Sequence, residues 1–445
     1  MARTLWPFGS PGLLRGRGPL ARGLCGLFIG WCGHLKADVS EVVLHAGRAA
    51  ELVMACATPQ INGPVDPAIP RIILDEVYGD LARSGAVQPL RDSDLTPTGR
   101  SDNLAMRQAG ATLLLKTVLK RSWTGKLILG VDVTDLGTGA GVFRKSYTTN
   151  ATHVRSTVHR VADDVVGALT GIPGVASSRI LFVHELAPGL KEIYQVDPGG
   201  GNPVRLTHHE SLTLSPSVAR DGRLAYVTYV GGLPRIWAQL RPGEVCRSIL
   251  PTGHGGYPMT FTPAWSRDGR HLAFVAPGPR GDSDISVVKP DSGRIRKLTD
   301  HAGINTEPAW SPSGQQIVFT SDRDGTPQLY LMEADGSNVR RLTREGAYNA
   351  SPAWSPDGGM IAYVSRMDGR FNLFVYKLAE GKAYQITRSA VSAESPAWSP
   401  DGRWLAYASD QDGKRNLFVT DLAGTRQRRL LEMEGCQSPF WTRSR

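Results

Sequence analysis

The sequence predicts a six-bladed, all-β propeller preceded by a small α/β domain. Three observations carry this. The first is a repeat: PAWSPDG begins at Pro352 and Pro396, PAWSPSG at Pro308, PAWSRDG at Pro263, PSVARDG at Pro216, and a truncated PFW at Pro439. These prolines are spaced by 47, 45, 44, 44 and 43 residues, the period of a propeller blade. The second is four short strands per unit. From Pro352 to Thr387 the chain reads PAWS, an SPDG turn, MIAYVS, FNLFVYKL and AYQIT, which is one blade. The third is a pair of complementary ends. Ile180 to Thr207 matches the last three strands of a unit without a PAW before them, and Ser438 to Thr442 is a PAW strand without the other three. One blade is therefore expected to be split, its first strand coming from the C-terminus. Five intact units and one split unit make six blades, and the sharing leaves no free sheet edge at the closure.

The elements before the propeller follow from periodicity and punctuation. Residues 1–37 carry Arg3, Arg15, Arg17, Arg22 and Lys36, and no acidic residue precedes Asp38. The uncharged run Gly23 to Leu35 is too short to span a bilayer but suits the apolar region of a secretory signal. Ala37 supplies a small residue, so 1–37 is read as a signal peptide cleaved after Ala37, with no membrane insertion thereafter. The α/β domain is placed at 38–172. Val39 to His45 and Glu51 to Ala57 read as strands. Arg71 to Ser84 reads as a helix, since Ile73, Val77 and Leu81 recur every four residues and Gly85 stops it. Ser101 to Ala109 is a second, short helix. Ala111 to Arg121 is a strand with Leu113, Leu115 and Val118 inward, and Trp123 to Lys126 turns it into the alternating strand Leu127 to Asp135. After Gly137 to Gly141, Val142 to Thr148 is the next strand. Thr152 to Leu169 is an amphipathic helix with Val154, Val158, Val161, Val165 and Leu169 on one stripe, ended by Gly171. The propeller is placed at 178–445.

Composition narrows the function. The chain has 51 basic and 41 acidic residues. Without the five basic residues of the leader the excess is small and forms no stripe, which argues against nucleic acid. Cys56, Cys246 and Cys436 are far apart, show no metal or redox spacing, and read as free thiols. The string Gly137 to Gly141 precedes a strand rather than a helix, so it is a hairpin turn and not a nucleotide loop. SDRDG at Ser321 and SDQDG at Ser409 have the D-x-D-G spacing of calcium loops but lack further ligands, and read as turns. No G-x-S-x-G elbow, metal cluster or cofactor loop accompanies the scattered histidines. No cofactor is expected, and the repeated tryptophans are read as pure packing between blades.

The residues preceding the anchoring prolines are Ser215, Thr262, Glu307, Ser351, Ser395 and Ser438. They are expected to ring one mouth of the central channel at the start of each innermost strand. Glu307 is the sole carboxylate of the ring, and Glu394 lies one residue further out in its own blade. A ring of small hydroxyls favours a docking concavity over a catalytic one. The competing reading is a secreted propeller enzyme or glycan-binding propeller, such as a lyase using rim histidines.

With its leader, its α/β domain, the LTGIPG junction at Leu169 to Gly174, the basic residue and strand at Arg179-Ile180, and NTEPAW at Asn305 to Trp310, the chain resembles the TolB family. These are periplasmic propellers of WD40-like repeats in the Tol–Pal system of Gram-negative bacteria. The likeness covers nearly all of residues 38–445. It implies a non-enzymatic, monomeric periplasmic protein that supports outer-membrane integrity and envelope constriction at division. It further implies that the propeller mouth binds Pal, the peptidoglycan-associated lipoprotein, with Thr306 and Glu307 matching the mouth motif beside Thr262, Ser215, Ser351, Glu394 and Ser395. By position, Asp38, Val39, Ser40, Glu41, Val42, Val43 and Leu44 match the segment that engages the C-terminal domain of TolA. Departures are the Trp-less PSVARDG, the long loop before Pro263 and the divergent N-terminal segment.

Overall fold

The structure is a computed structural model that describes residues 52–91, 103–251, 256–367, 369–388, 391–411 and 413–443. The expected leader, its cleavage point and the strand at Val39 to His45 lie outside these residues.

The α/β domain begins with β1 (Leu52–Cys56) and β2 (Gln60–Asn62), followed by α1 (Ala68–Ser84), β3 (Val87–Arg91) and α2 (Asn103–Gln108). Then come β4 (Leu113–Arg121), β5 (Leu127–Asp135), β6 (Gly141–Thr149) and α3 (Val154–Thr170). The sheet order is β3-β1-β4-β5-β6, with β2 also pairing β4. β1 runs parallel to β3 and β4, whereas β4-β5 and β5-β6 are antiparallel. Helices α1 and α3 cover one face. Ile73, Val77 and Leu81 of α1 and Val154, Val158, Val161 and Val165 of α3 meet Leu113, Leu115, Leu119, Leu129, Val131 and Val133 there. Leu119, and not the expected Val118, completes the inward set of β4. Side chains two apart share a sheet face, so the register of Leu113 and Leu115 continues to 119. Gly85 and Gly171 both adopt positive φ at the helix ends, the conformation glycine enters at least cost.

The LTGIPG junction is pinned onto α3. The Asp163 carboxylate accepts hydrogen bonds from the amides of Ala176 (2.6 Å) and Ser177 (3.0 Å) and from the Ser177 hydroxyl. A Cβ on Gly174 would lie 2.7 Å from Asp163 Oδ1 and 3.0 Å from its Cα, so only glycine permits this approach. The junction then delivers the chain into the propeller against α1 and α3. Arg428 donates to Pro198 O (2.6 Å), and Trp404 stacks so close to Gly85 that a Cβ there would sit 2.8 Å from its ring.

Six four-stranded sheets follow. Five are built from consecutive strands. The sixth pairs Cys436–Thr442 with Arg179–Ala187, then Leu190–Val196 and Val204–Arg205, the split blade that the sequence predicts. The repeat turn is built as its residues require: Gly358 takes φ 80° and donates to Ser355 O at 3.0 Å, and Asp357 Oδ1 accepts from the Gly359 amide at 3.0 Å.

The tryptophans do more than pack. The indole N–H groups of Trp310, Trp354 and Trp398 donate to the carbonyls of Ala264, Ala309 and Ala353 in the preceding blade, at 3.1, 3.0 and 2.9 Å. Trp441 donates to Ser178 Oγ at 2.8 Å. Trp265 follows the Trp-less PSVARDG unit. Its ring lies under Arg223 at 4.8 Å, and its Nε1 finds no partner among the described residues. A buried tryptophan ordinarily satisfies its N–H, and the expectation of pure packing is corrected for Trp310, Trp354, Trp398 and Trp441, whereas no indole hydrogen bond overturns it for Trp265. Trp441 is 7% exposed and sits at the closure. Truncating it to alanine is expected to cost about 3–5 kcal/mol, measured by urea unfolding. A loss under about 1 kcal/mol, the scale of a surface change, would mean that the closing blade does not hold the ring.

Candidate functional site

The first strand of every blade lines the centre of the ring. These strands are Thr213–Val218, Phe261–Trp265, Asn305–Trp310, Asn349–Trp354, Ala393–Trp398 and Cys436–Thr442. Each packs against the first strand of the next blade, and the last packs against the first.

All six share one irregularity. The register with the second strand shifts between Leu214 and Ser217, Phe261 and Ala264, Thr306 and Ala309, Ala350 and Ala353, Glu394 and Ala397, and Gln437 and Phe440. The two residues inside each shift are the ring residue and its proline. Proline has no N–H to give to a ladder, so a bulge accepts it where a regular strand would not. Ser215, Thr262, Glu307, Ser351, Ser395 and Ser438 all have positive φ, between 42° and 55°. That conformation is costly for a residue with a Cβ and lies outside the extended region preferred before proline. Such positions typically store about 1–3 kcal/mol each. The six predicted ring residues are thus brought to equivalent positions, but at a bulge inside the innermost strand and not at its start, because the proline must leave the ladder there.

Side-chain bonds reinforce part of the ring. The Glu307 carboxylate accepts from the Ser351 amide (2.7 Å), the Ser351 hydroxyl (3.0 Å) and Thr320 Oγ1 (2.9 Å). It ties its own bulge to the bulge of the next blade. Glu394 is held by the Arg415 guanidinium. Tyr348 lies in the field of both carboxylates. Burial first, then Glu307 and Glu394, push its phenol up to about 12. Thr306 pairs with Thr320 just before its bulge, and Thr262 Oγ1 is buried with no partner among the described residues. Arg323 stacks on Phe319 and Tyr330 and donates to Asn305 Oδ1 (2.8 Å), which anchors the start of the NTEPAW strand. In SDRDG, Asp322 Oδ1 accepts from the Ile304 amide (2.6 Å) and Asp324 Oδ2 from the Tyr330 hydroxyl (2.6 Å). Both aspartates serve their own blade. Asp38 to Leu44 lie outside the described residues.

A second polar cluster escaped the sequence reading. Asp80 of α1 and His159 of α3 are buried against each other, with His159 Nδ1 2.6 Å from Asp80 Oδ2. Arg83 donates to the other Asp80 oxygen at 2.7 Å, and Arg155 pairs with Glu76. Donor atoms of Glu76, Asp80 and His159 lie within 4.8 Å of one another, a metal-like grouping. Two arginines and the histidine already balance its carboxylates, so the arrangement works as an ion-pair network. Across a small cavity, Arg428 of the propeller faces Asp80 and Arg83. Burial, and then the charge of Arg83, lower its affinity for its proton to about 10. The signal was legible in part, since Asp80 interrupts the apolar stripe Ile73, Val77, Leu81.

The fold and the rim define a closed propeller with an α/β domain docked on it, whose central strands carry a ring of strained hydroxyls and one carboxylate. The family described as "TolB beta propeller domain" matches residues 166–445; the chain belongs to this family. It is 33% identical to the "Protein TolB homolog" of Chlorobium luteolum over 213 residues, 48% of this chain and 47% of that one. It is 32% identical to the "Tol-Pal system protein TolB" of Bordetella parapertussis over 270 residues, 60% of each. The chain spans between 47% and 65% of the length of the curated relatives it matches. Among solved structures, TolB from Acinetobacter baumannii superposes with a TM-score of 0.74 at 25% identity, covering 88% of this chain and 97% of that one.

Two measurements test these sites. Glu307→Ala removes two hydrogen bonds across one seam and one within its own blade, and is expected to lower stability by about 2 kcal/mol in urea unfolding; no change would show that the seam does not depend on the carboxylate. Burial lowers the His159 pKa, but the hydrogen bond and charge of Asp80, helped by Asp197 and Glu76, hold it above its ordinary value. Its contribution is therefore fully present below about pH 6.5 and is lost as pH rises through the higher folded value. The melting temperatures of the wild type and His159→Asn should converge as pH rises from about 6 to 9. A gap independent of pH would rule out the charged pair.

Proposed function

We propose that this protein is a non-enzymatic periplasmic component of the Tol–Pal system, working as a monomeric docking scaffold. The observation that carries this reading is the family match together with the superposition on nearly the whole of a solved TolB. The ring of the propeller is the docking surface for a Pal-like outer-membrane lipoprotein. Thr306 and Glu307 are central to it, with Ser215, Thr262, Ser351, Glu394 and Ser395 around them. The segment Asp38 to Leu44 engages a TolA-type C-terminal domain, by adding a strand to an exposed edge. If the two partners are coupled through this chain, each must change the other's affinity by the same factor. Through these contacts the protein serves outer-membrane integrity and envelope constriction at division.

The ring chemistry supports docking over catalysis. The one ring carboxylate is committed to hydroxyl and amide donors of the adjacent blade, which leaves it shaped and charged but not poised as a general base. The test is calorimetric titration of the protein with the soluble domain of a Pal-like lipoprotein, for the wild type and Glu307→Ala. The variant is expected to bind about tenfold or more weakly, as for a residue at the centre of an interface, while its melting curve shows that it is folded. Equal binding would move the docking surface off this ring, and no binding by the wild type would refute the assignment.

A further inference from the structure

Trp123 is 98% exposed, the most exposed of the large apolar side chains described. It stands at the apex of the β4-β5 hairpin. The turn is stiff: Gly125 donates to Ser122 O (3.0 Å), the Ser122 amide donates to Lys126 O (2.8 Å), the hydroxyls of Ser122 and Thr124 are 2.8 Å apart, and Gly125 takes φ 80°. Below it the two strands pair without a break from Leu113↔Asp135 to Arg121↔Leu127. The indole is therefore held out on a rigid stalk, and its exposure is not that of a floppy loop.

Its neighbours are basic. Lys120, Arg121 and Lys126 are exposed, and among the described residues none is paired with a carboxylate. Ile61, on β2 beside β4, adds a second exposed apolar side chain at 46%.

The topology places this group at one end of the α/β domain. β2 and β4 are parallel, β6 returns in the same direction as β4, and α1 and α3 begin where β2 and β6 end. The hairpin apex, the end of β2 and the starts of both helices thus share one end of the α/β domain. The opposite ends of the helices, at Arg83, Ser84, Asp163 and Val166, meet Trp404, Pro198 and Arg428 of the propeller. The propeller lies at the far end, so among the described residues it leaves the tip open to a broad flat surface.

We infer that this tip is a docking point for an anionic membrane surface. An indole at the bilayer interface with a collar of cations over acidic headgroups is the chemistry such a surface selects. A protein interface fits less well, since it is built around a buried apolar core in well-packed pockets. Here, among the described residues, the ring projects from a hairpin apex and lines neither of the cavities beside α3. The inference does not depend on which protein partners the ring binds.

Vesicle flotation tests it with the full chain. Vesicles of phosphatidylglycerol and phosphatidylcholine are expected to carry the wild type up, in a manner weakened by salt, and pure phosphatidylcholine much less. Trp123→Ala should weaken binding about tenfold. The triple change Lys120→Gln, Arg121→Gln, Lys126→Gln should weaken it about a hundredfold, at roughly fivefold per cation. All forms share residues 1–51, so any contribution from that segment cancels in the comparison. As a second readout, bromine in the acyl chains should quench the wild type more than Trp123→Phe. Absence of wild-type flotation, variants that float like the wild type, or retention on immobilised polyglutamate in place of vesicles would each overturn the inference.

Discussion

The structure depends on one constraint: every blade has two faces to bury, and only a closed ring supplies a neighbour for both. The closing contact is made by residues far apart in sequence. Trp441, on the last strand, reaches Ser178 beside the first strand of the propeller at 2.8 Å. Around it, Ile180, Phe182, Trp404, Ala406, Leu417 and Val419 form one apolar cluster across the seam. Three seams between blades carry an indole donating to an alanine carbonyl of the preceding blade. Trp310, Trp354 and Trp398 thus each combine the area of a large apolar side chain with a directed bond that sets the angle between blades. Where PSVARDG omits the tryptophan, an arginine covers the neighbouring ring instead, so the seam is filled by a different chemistry.

Closure also explains why the centre of the ring tolerates strain. Six non-glycine residues hold positive φ immediately before proline. In an isolated strand such a conformation would relax. Here the first strands pack around a common axis, and the register on either side of each bulge is set by the second strand. The surrounding sheet over-determines the bulge. The result is a set of polar side chains presented at equivalent positions, with Glu307 bonded to the next bulge at Ser351. A surface of this kind is rigid before any partner arrives, which lowers the ordering cost of binding.

The α/β domain is joined to the propeller by charge as well as by apolar contact. Asp163 holds the junction through amides of Ala176 and Ser177, while Asp80, His159 and Arg83 sit beside Arg428. Buried polar groups in networks are expensive unless satisfied. This one is largely satisfied, by pairing within the α/β domain and by the Pro198 carbonyl for Arg428. It gives the junction a specific geometry that apolar packing alone would leave looser.

The sequence by itself determined the class of fold, the number of blades, the split closing blade and the helices of the α/β domain. Each of these is written in local, repeating chemistry: the proline period, the SPDG turn, the alternation of Leu127 to Asp135 and the valine stripe of α3. It also singled out the six residues before the prolines. Only the tertiary structure decided what those residues do, because a bulge exists only relative to a partner strand, and positive φ at serine or glutamate is not a preference the chain would show alone. The same reason hid the indole bonds, the commitment of Glu307 to Ser351, and the Asp80–His159 pair. Each joins residues at least 44 positions apart, and 263 apart for Trp441 and Ser178, and such distances are set by packing rather than by periodicity.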